Sequence, residues 1–282
     1  MKRVGFITNS QFPHLTDSDS LTITPLKNRG IEVEPIIWSS PPPTLNQFDA
    51  IIMRSAWDYH LHINKFITFL NILKQSRIKT FNGIDTMLWN MDKSYLLELN
   101  KKNIPIVPTI KVGSIGTLPW EKLRVWEYIV IKPCHGGSAY HIDKLNTKDD
   151  NKITNTITKL LKSGNVLIQP FMKEIHEGEI SFIFFNKQFS HAMLKKPIQS
   201  DFRTQPEFGG TETRIYPSED ILKAATNILQ KIKRPLLYTR LDAISVNGSL
   251  QLMELELIEP HLFLEDAPEK AVMFADAITR VV

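Results

Sequence analysis

Three short apolar strands, spaced by turn-forming and helical segments, open the chain, and that rhythm restricts what its first third can become. Arg3–Thr8, Ile31–Trp38 and Asp49–Arg54 read as strands. Downstream of the third, Ile63, Phe66, Ile67, Leu70 and Leu73 recur at three- and four-residue steps, the spacing of an amphipathic helix. Such strand–helix–strand alternation argues for a small parallel sheet flanked by helices. Pro41-Pro42-Pro43 marks a connecting loop, because proline continues neither element.

The pattern changes near Asn82-Gly83-Ile84-Asp85. A helix is predicted from about Met91 to Lys102 with Leu96, Leu97 and Leu99 inward, then a Pro-punctuated stretch at 104–108 and a strand at Tyr128–Lys132. A turn opens at Gly136-Gly137-Ser138-Ala139, a helix fills Asp149–Leu161, and Val166–Gln169 is a strand. Beyond Pro170 the chain becomes β-rich, with strands at Glu179–Phe185, Gln188–Lys195, Leu236–Val246 and Leu250–Leu257. Asn247-Gly248 predicts a type I′ hairpin between the last two, since both residues accept positive φ. The fold class read from this order is α/β followed by α+β.

At 282 residues the chain can support two or three packed lobes, and 42% hydrophobic with 23% charged residues is ordinary for a globular enzyme. Net charge is +4. The basic residues are dispersed, and no basic stripe with stacking aromatics stands out, which argues against nucleic acid and suits a small polyanion. One cysteine, Cys134, excludes an internal disulfide. The N-terminal apolar run breaks at Thr8-Asn9-Ser10, and no stretch approaches the roughly 20 apolar residues needed to span a bilayer. A cytoplasmic protein is expected.

Three constellations can carry chemistry. Asp242 lies on one strand of the Asn-Gly hairpin, with Glu254 and Glu256 two residues apart on the other and therefore on one face. Asp242 falls close to level with Glu254, so the three carboxylates can converge, and oxygen-only ligands suit Mg²⁺. The competing reading is a solvated acidic face, which the apolar neighbours Leu252, Met253 and Leu255 disfavour. Lys132 ends a strand just before Gly136-Gly137-Ser138, where an ammonium and backbone N–H groups can meet a phosphate chain. The lysine precedes the glycines, so this is not a Walker-type loop. Third, Val166 to Met172 runs from a buried strand into a Pro-broken segment that is either an adenine-binding connection or a core strand with a bend.

In this order the motifs resemble the ATP-grasp superfamily, in its glutathione-synthetase-like branch: Asn90-Met91-Asp92-Lys93, Val130-Ile131-Lys132-Pro133 with Gly136-Gly137-Ser138, Gln169-Pro170-Phe171, Gly178-Glu179, Arg203, and Asp242 with Glu254 and Glu256. The resemblance implies a preceding α/β domain over 1–88, a small lobe with the glycine-rich loop over 89–170, and a large lobe over 171–282. It implies ATP phosphates on Lys93 and Lys132 beneath Gly136, Gly137 and Ser138. Adenine would lie along Gln169, Pro170, Phe171 and Met172, with the ribose on Glu179 or Glu177. Two Mg²⁺ ions would sit on Asp242, Glu254 and Glu256. The branch usually has Glu-x-Asn where this chain has Glu254-Leu255-Glu256. Arg54–His60, Trp89–Lys93, Ser190-His191-Ala192, Lys195-Lys196-Pro197, Asp201-Phe202-Arg203 with Gly209-Gly210, and Glu256–Pro260 look like a subgroup that includes the D-cycloserine-forming cyclo-ligase.

The implied chemistry is phosphorylation of a small amino-acid-like carboxylate by ATP, followed by attack of a nitrogen nucleophile, with ADP and phosphate released. Lys132 and Arg203 are the expected catalytic residues; Arg203 also reads as a substrate residue, holding the γ-phosphate or acyl phosphate. Arg54 and Asp58, at the end of the third strand, are expected on the substrate carboxylate and ammonium. Lys195 is either a substrate contact or a half-exposed strand lysine, and Trp57 and Tyr59 either ligand contacts or packing. His191 and His261 read as structural. Family members are often homo-oligomers. Two other functions fit the same motifs: a ligase acting on a peptide or protein, and an ATP-binding module without ligation.

Overall fold

The computed structural model describes residues 1–137 and 141–282. Its first layer is a parallel sheet of β1 (Lys2–Thr8), β2 (Ile31–Ile37), β3 (Ala50–Ser55) and β4 (Lys79–Phe81), ordered β2-β1-β3-β4. The connections carry α1 (Asp17–Ser20), α2 (Ile23–Lys27) and α3 (Ile63–Ser76). The predicted periodicity holds in α3: Phe66, Leu70 and Leu73 are buried with Trp38, Ile51 and Met53.

The single helix expected over Met91–Lys102 is two, α4 (Ile84–Met91) and α5 (Tyr95–Lys101). Asp92 takes an extended conformation, and its carboxylate accepts from the Ser94 N–H at 2.8 Å, a local bond that competes with the helix. The break has a structural use. It turns the Lys93 backbone N–H onto the Cys134 carbonyl at 2.8 Å, tying the helix junction to the strand end that carries Lys132.

The second sheet is antiparallel: β5 (Ile110–Val112), β6 (Tyr128–Pro133), β7 (Asp143–Asn146) and β8 (Val166–Pro170), ordered β5-β8-β6-β7. It is accompanied by α6 (Trp120–Leu123) and by α7 (Asp150–Leu161), which Asp149 caps through the Lys152 N–H at 3.0 Å. Ile153, Ile157 and Leu160 of α7 pack on Ile129, Ile131 and Ile168.

The third sheet comprises β9 (Glu179–Phe185), β10 (Gln188–Lys196), β11 (Thr211–Ile215), β12 (Tyr238–Val246) and β13 (Ser249–Glu256), ordered β11-β10-β9-β12-β13. It is completed by α8 (Glu219–Lys231) and α9 (Lys270–Thr279). Asn247 and Gly248 have φ of 50° and 78°, as the predicted hairpin turn requires. A bulge between Asp242 and Ala243 shifts the register, so that Ala243 faces Leu252 while Asp242 faces Glu254.

First and third layers are joined tightly. Asn82 donates to the Tyr238 and Leu257 carbonyls at 2.9 and 2.7 Å and accepts from the Leu237 N–H at 2.7 Å. Val4, Phe6, Ile183, Phe185 and Phe274 share one buried cluster, with Phe185 and Phe274 stacked at 4.7 Å. The sequence reading did not resolve β4, β5, β7, β11, α8 or α9. Among the described residues no helix is long and apolar enough to cross a membrane.

Candidate active site

The second and third sheets face each other across a cavity whose two ends differ in chemistry. On β6, Val130 and Lys132 are two residues apart and line it together; on β8, Gln169 pairs with Val130. Pro170, Phe171 and Met172 continue the wall, joined by Val107, Ile175 and Met253 to make an apolar end. Glu179, Lys195, Arg240, Asp242, Glu254 and Glu256 form the charged end from β9, β10, β12 and β13.

At the charged end most cations are already paired. Lys93 pairs with Glu254. Burial works against the Lys93 ammonium, yet the adjacent Glu254 carboxylate holds its pKa above the usual lysine value. Lys195 contacts Glu179 at 2.5 Å and Asp242 at 3.4 Å. Arg240 reaches Asp242 at 2.9 Å and Glu256 at 2.5 Å. Asp242 also accepts from the Ser181 hydroxyl at 2.5 Å. Burial alone would raise Asp242, but Arg240 and Lys195 hold its carboxyl well below the usual carboxylate range. Glu256 moves the other way. Burial, with Asp242 and Glu254 nearby and against the opposing pull of Arg240, pushes it up to about 7.

Lys132 is the exception. It is 7% exposed and has no ion-pair or hydrogen-bond partner among the described residues, and burial lowers its pKa. A buried, unpaired ammonium facing a cavity is costly unless an anion arrives. Beside it, Gly136 and Gly137 line the same cavity; a Cβ on Gly137 would come within 3.3 Å of His60 Nδ1, so the glycine lets this turn approach the first layer. Ser138 lies outside the described residues.

Arg203 enters from the segment after β10. Asp201 accepts from its Nε at 3.1 Å and its Nη2 at 2.7 Å, and the guanidinium lies 3.6 Å from the Phe208 ring centroid. This fixes the plane of the guanidinium while the side chain lines the cavity.

The remaining expected site residues divide between the cavity wall and the packing around it. Arg54 is buried in an ion pair with Asp19 at 2.8 Å and donates to the Pro260 carbonyl at 3.1 Å, outside the cavity. Helix α1 supplies Asp19, while Arg54 Nη1 and Asp19 Oδ2 have no hydrogen-bond partner among the described residues. Asp58 accepts from Trp38 Nε1 at 2.6 Å and is likewise absent from the cavity wall. Glu177 is exposed outside the cavity, whereas Glu179 lines it. Lys195 is 6% exposed, not a half-exposed strand lysine. His191 is structural: its ring bonds to Ser190 and the Leu262 carbonyl, and burial lowers it to about 4.

Asp242, Glu254 and Glu256, the residues expected to hold metal, all line the cavity, and each stands in an ion pair. Among the described residues no group of three or more His, Cys, Asp or Glu side chains is placed to hold an ion. Arg240 and Lys93 draw the carboxylates into ion pairs instead. The donor chemistry still fits magnesium, because all three carboxylates line one cavity and offer oxygen alone. Arg240 was overlooked in the sequence, although it lies two residues before Asp242 on the same strand and so shares its face.

Residues 120–265 match the prokaryotic glutathione synthetase ATP-grasp domain. The chain belongs to the ATP-grasp family. Residues 4–82 match the N-terminal domain of D-cycloserine synthetase DcsG. The cycloserine biosynthesis protein DcsG of Streptomyces lavendulae is 24% identical over 266 residues, covering 88% of each chain. A glutathione synthetase of Neisseria meningitidis serogroup A is 26% identical over 242 residues, 83% of this chain and 73% of the relative. Among solved structures, D-cycloserine synthetase DcsG superimposes with a TM-score of 0.87 at 21% identity, over 99% of both chains. The D-alanine–D-alanine ligase of Bacillus anthracis complexed with ATP gives 0.69 at 15% identity, over 99% of this chain and 97% of that one. At these identities the superpositions show the fold. As an ATP-grasp enzyme, the protein is an ADP-forming carbon–nitrogen ligase.

Proposed function

We propose that this ligase activates a small amino-acid-like carboxylate as an acyl phosphate, which a nitrogen nucleophile then attacks. One observation carries the reading: a single cavity joins an apolar end to a cluster of buried cations, one of which, Lys132, makes no ion pair or hydrogen bond among the described residues.

In this account adenine occupies the apolar end along Gln169 to Met172, with the ribose near Glu179. The phosphates run toward Lys93 and Lys132. Asp242, Glu254 and Glu256 would hold magnesium, which when bound neutralises phosphate charge. A substrate carboxylate oxygen attacks the γ-phosphorus and the bond to ADP breaks. Lys132, Arg203 and Arg240 oppose the charge that develops on the transferred group. The nitrogen then attacks the acyl carbon, loses its proton, and inorganic phosphate leaves. Gly136 and Gly137 allow backbone to close over the phosphates, shielding the acyl phosphate from water. Residues 1–88 would present the acceptor, and 89–170 and 171–282 would grip the nucleotide.

The test is a screen of amino acids and small amines with ATP and magnesium, reading ADP, phosphate and coupled product by mass spectrometry, with hydroxylamine as a trap. Hydroxamate formation that depends on one carboxylate class is the expected outcome. ADP formation confined to peptides would replace the small-molecule reading.

A further inference from the structure

The side-chain amide of Gln169 is held in one orientation. Gln169 is 4% exposed and lines the cavity. Its Nε2 donates to Thr109 Oγ1 at 2.8 Å, and Thr109 Oγ1 donates to the Val107 carbonyl at 2.7 Å. A hydroxyl has one hydrogen. With that hydrogen spent on Val107, Thr109 can only accept from Gln169, so the amide must present nitrogen here and not oxygen. Exchanging the two ends would set acceptor against acceptor. The other end, Oε1, has no hydrogen-bond partner among the described residues and is not sealed from solvent.

The position of this oxygen matters. Gln169 pairs with Val130, and Val130 lies two residues from Lys132 on the same strand. The amide therefore faces the cavity about 7 Å along the strand from the level of the unpaired ammonium. Phe171, Met172 and Met253 line the same cavity, apolar walls that suit a nucleobase.

We propose that Gln169 Oε1, locked by Thr109, selects a purine carrying a 6-amino group, and that Thr109 is the positioning residue for this selection. The proposal rests on the reading of the cavity as the nucleotide site. A fixed acceptor takes an N–H of the adenine 6-amino group. Against hypoxanthine the same acceptor meets the 6-oxo oxygen, and both acceptors are left unsatisfied in a desolvated site. Without the Thr109 hydroxyl the amide can turn and offer its nitrogen to the 6-oxo group.

Dissociation constants for ATP and ITP, each with magnesium, are to be measured on the wild type, Thr109→Val and Thr109→Ser. The wild type should prefer ATP by about 10–100-fold, the effect of leaving a buried polar group unpaired. Thr109→Val should bring the two nucleotides to within about threefold, and Thr109→Ser, which restores the hydroxyl, should return most of the preference. General damage to the fold weakens both nucleotides together and leaves their ratio alone. A Thr109→Val protein that keeps the wild-type ratio overturns the positioning role. A wild type that binds ATP and ITP equally overturns this proposal alone. A wild type that binds neither overturns the nucleotide-site reading and this proposal with it.

Discussion

Replacing Lys132 with methionine is expected to lower ATP-dependent turnover by about 10²–10³-fold while leaving the protein folded and no less stable. The two halves of that expectation have one cause. Lys132 is buried without an ion pair or hydrogen bond among the described residues, and its desolvation outweighs the attraction of Glu254, so its charge does not support the resting fold. Its folded-state pKa is lowered by burial, so between that value and the ordinary lysine value near 10.4 the unfolded chain binds more protons. Stability therefore rises with pH through that window, and at neutral pH the charged side chain is a net cost to folding. Methionine keeps the chain length and removes the cost. Steady-state kinetics and a melting curve on the same preparation check the pair. Full activity would remove Lys132 from the catalytic machinery, and a large drop in melting temperature would show that it is structural.

Asp242→Asn should behave in the opposite sense for stability. Asp242 is 3% exposed, accepts from Arg240 and Ser181 and is ion-paired with Lys195, so removing its charge leaves two buried cations undercompensated. A loss of about 3–5 kcal/mol is expected, the usual range for breaking a buried ion pair. The sign with pH follows from its depressed pKa. The ionised form contributes stability above the unfolded carboxylate value of about 3.9, and that contribution is lost as pH falls through the lower folded value. Urea unfolding should therefore show a large gap between wild type and variant at pH 7, narrowing below about pH 4. A gap that is constant with pH would mean the loss comes from packing and not from charge.

Much of this architecture was legible in the chain itself. The Ile63-to-Leu73 spacing located α3, and Asn247-Gly248 located the β12–β13 turn, because both depend on short-range geometry. The cavity was legible as motifs in order, from Lys93 and Lys132 through Gln169 to Asp242, Glu254 and Glu256, all of which line it. What was hidden depends on long-range packing. Arg54 stands at a strand end where ligands often bind, and only the fold reveals that Asp19 on α1 covers it. The bulge at Asp242–Ala243 leaves no mark in sequence, yet it sets which carboxylates face each other. The Asp92 break is readable in retrospect, since Asp and Ser close together favour caps and turns over helix interiors.

The central claim is that a nucleotide lies between the second and third sheets with its phosphates at Lys93 and Lys132. Hydrogen exchange with and without a non-hydrolysable ATP analogue and magnesium addresses it directly. Protection is predicted in 133–137, 169–178 and 197–210, the segments that line or border the cavity. Protection confined to residues 1–82, or absent at saturating analogue, would contradict it.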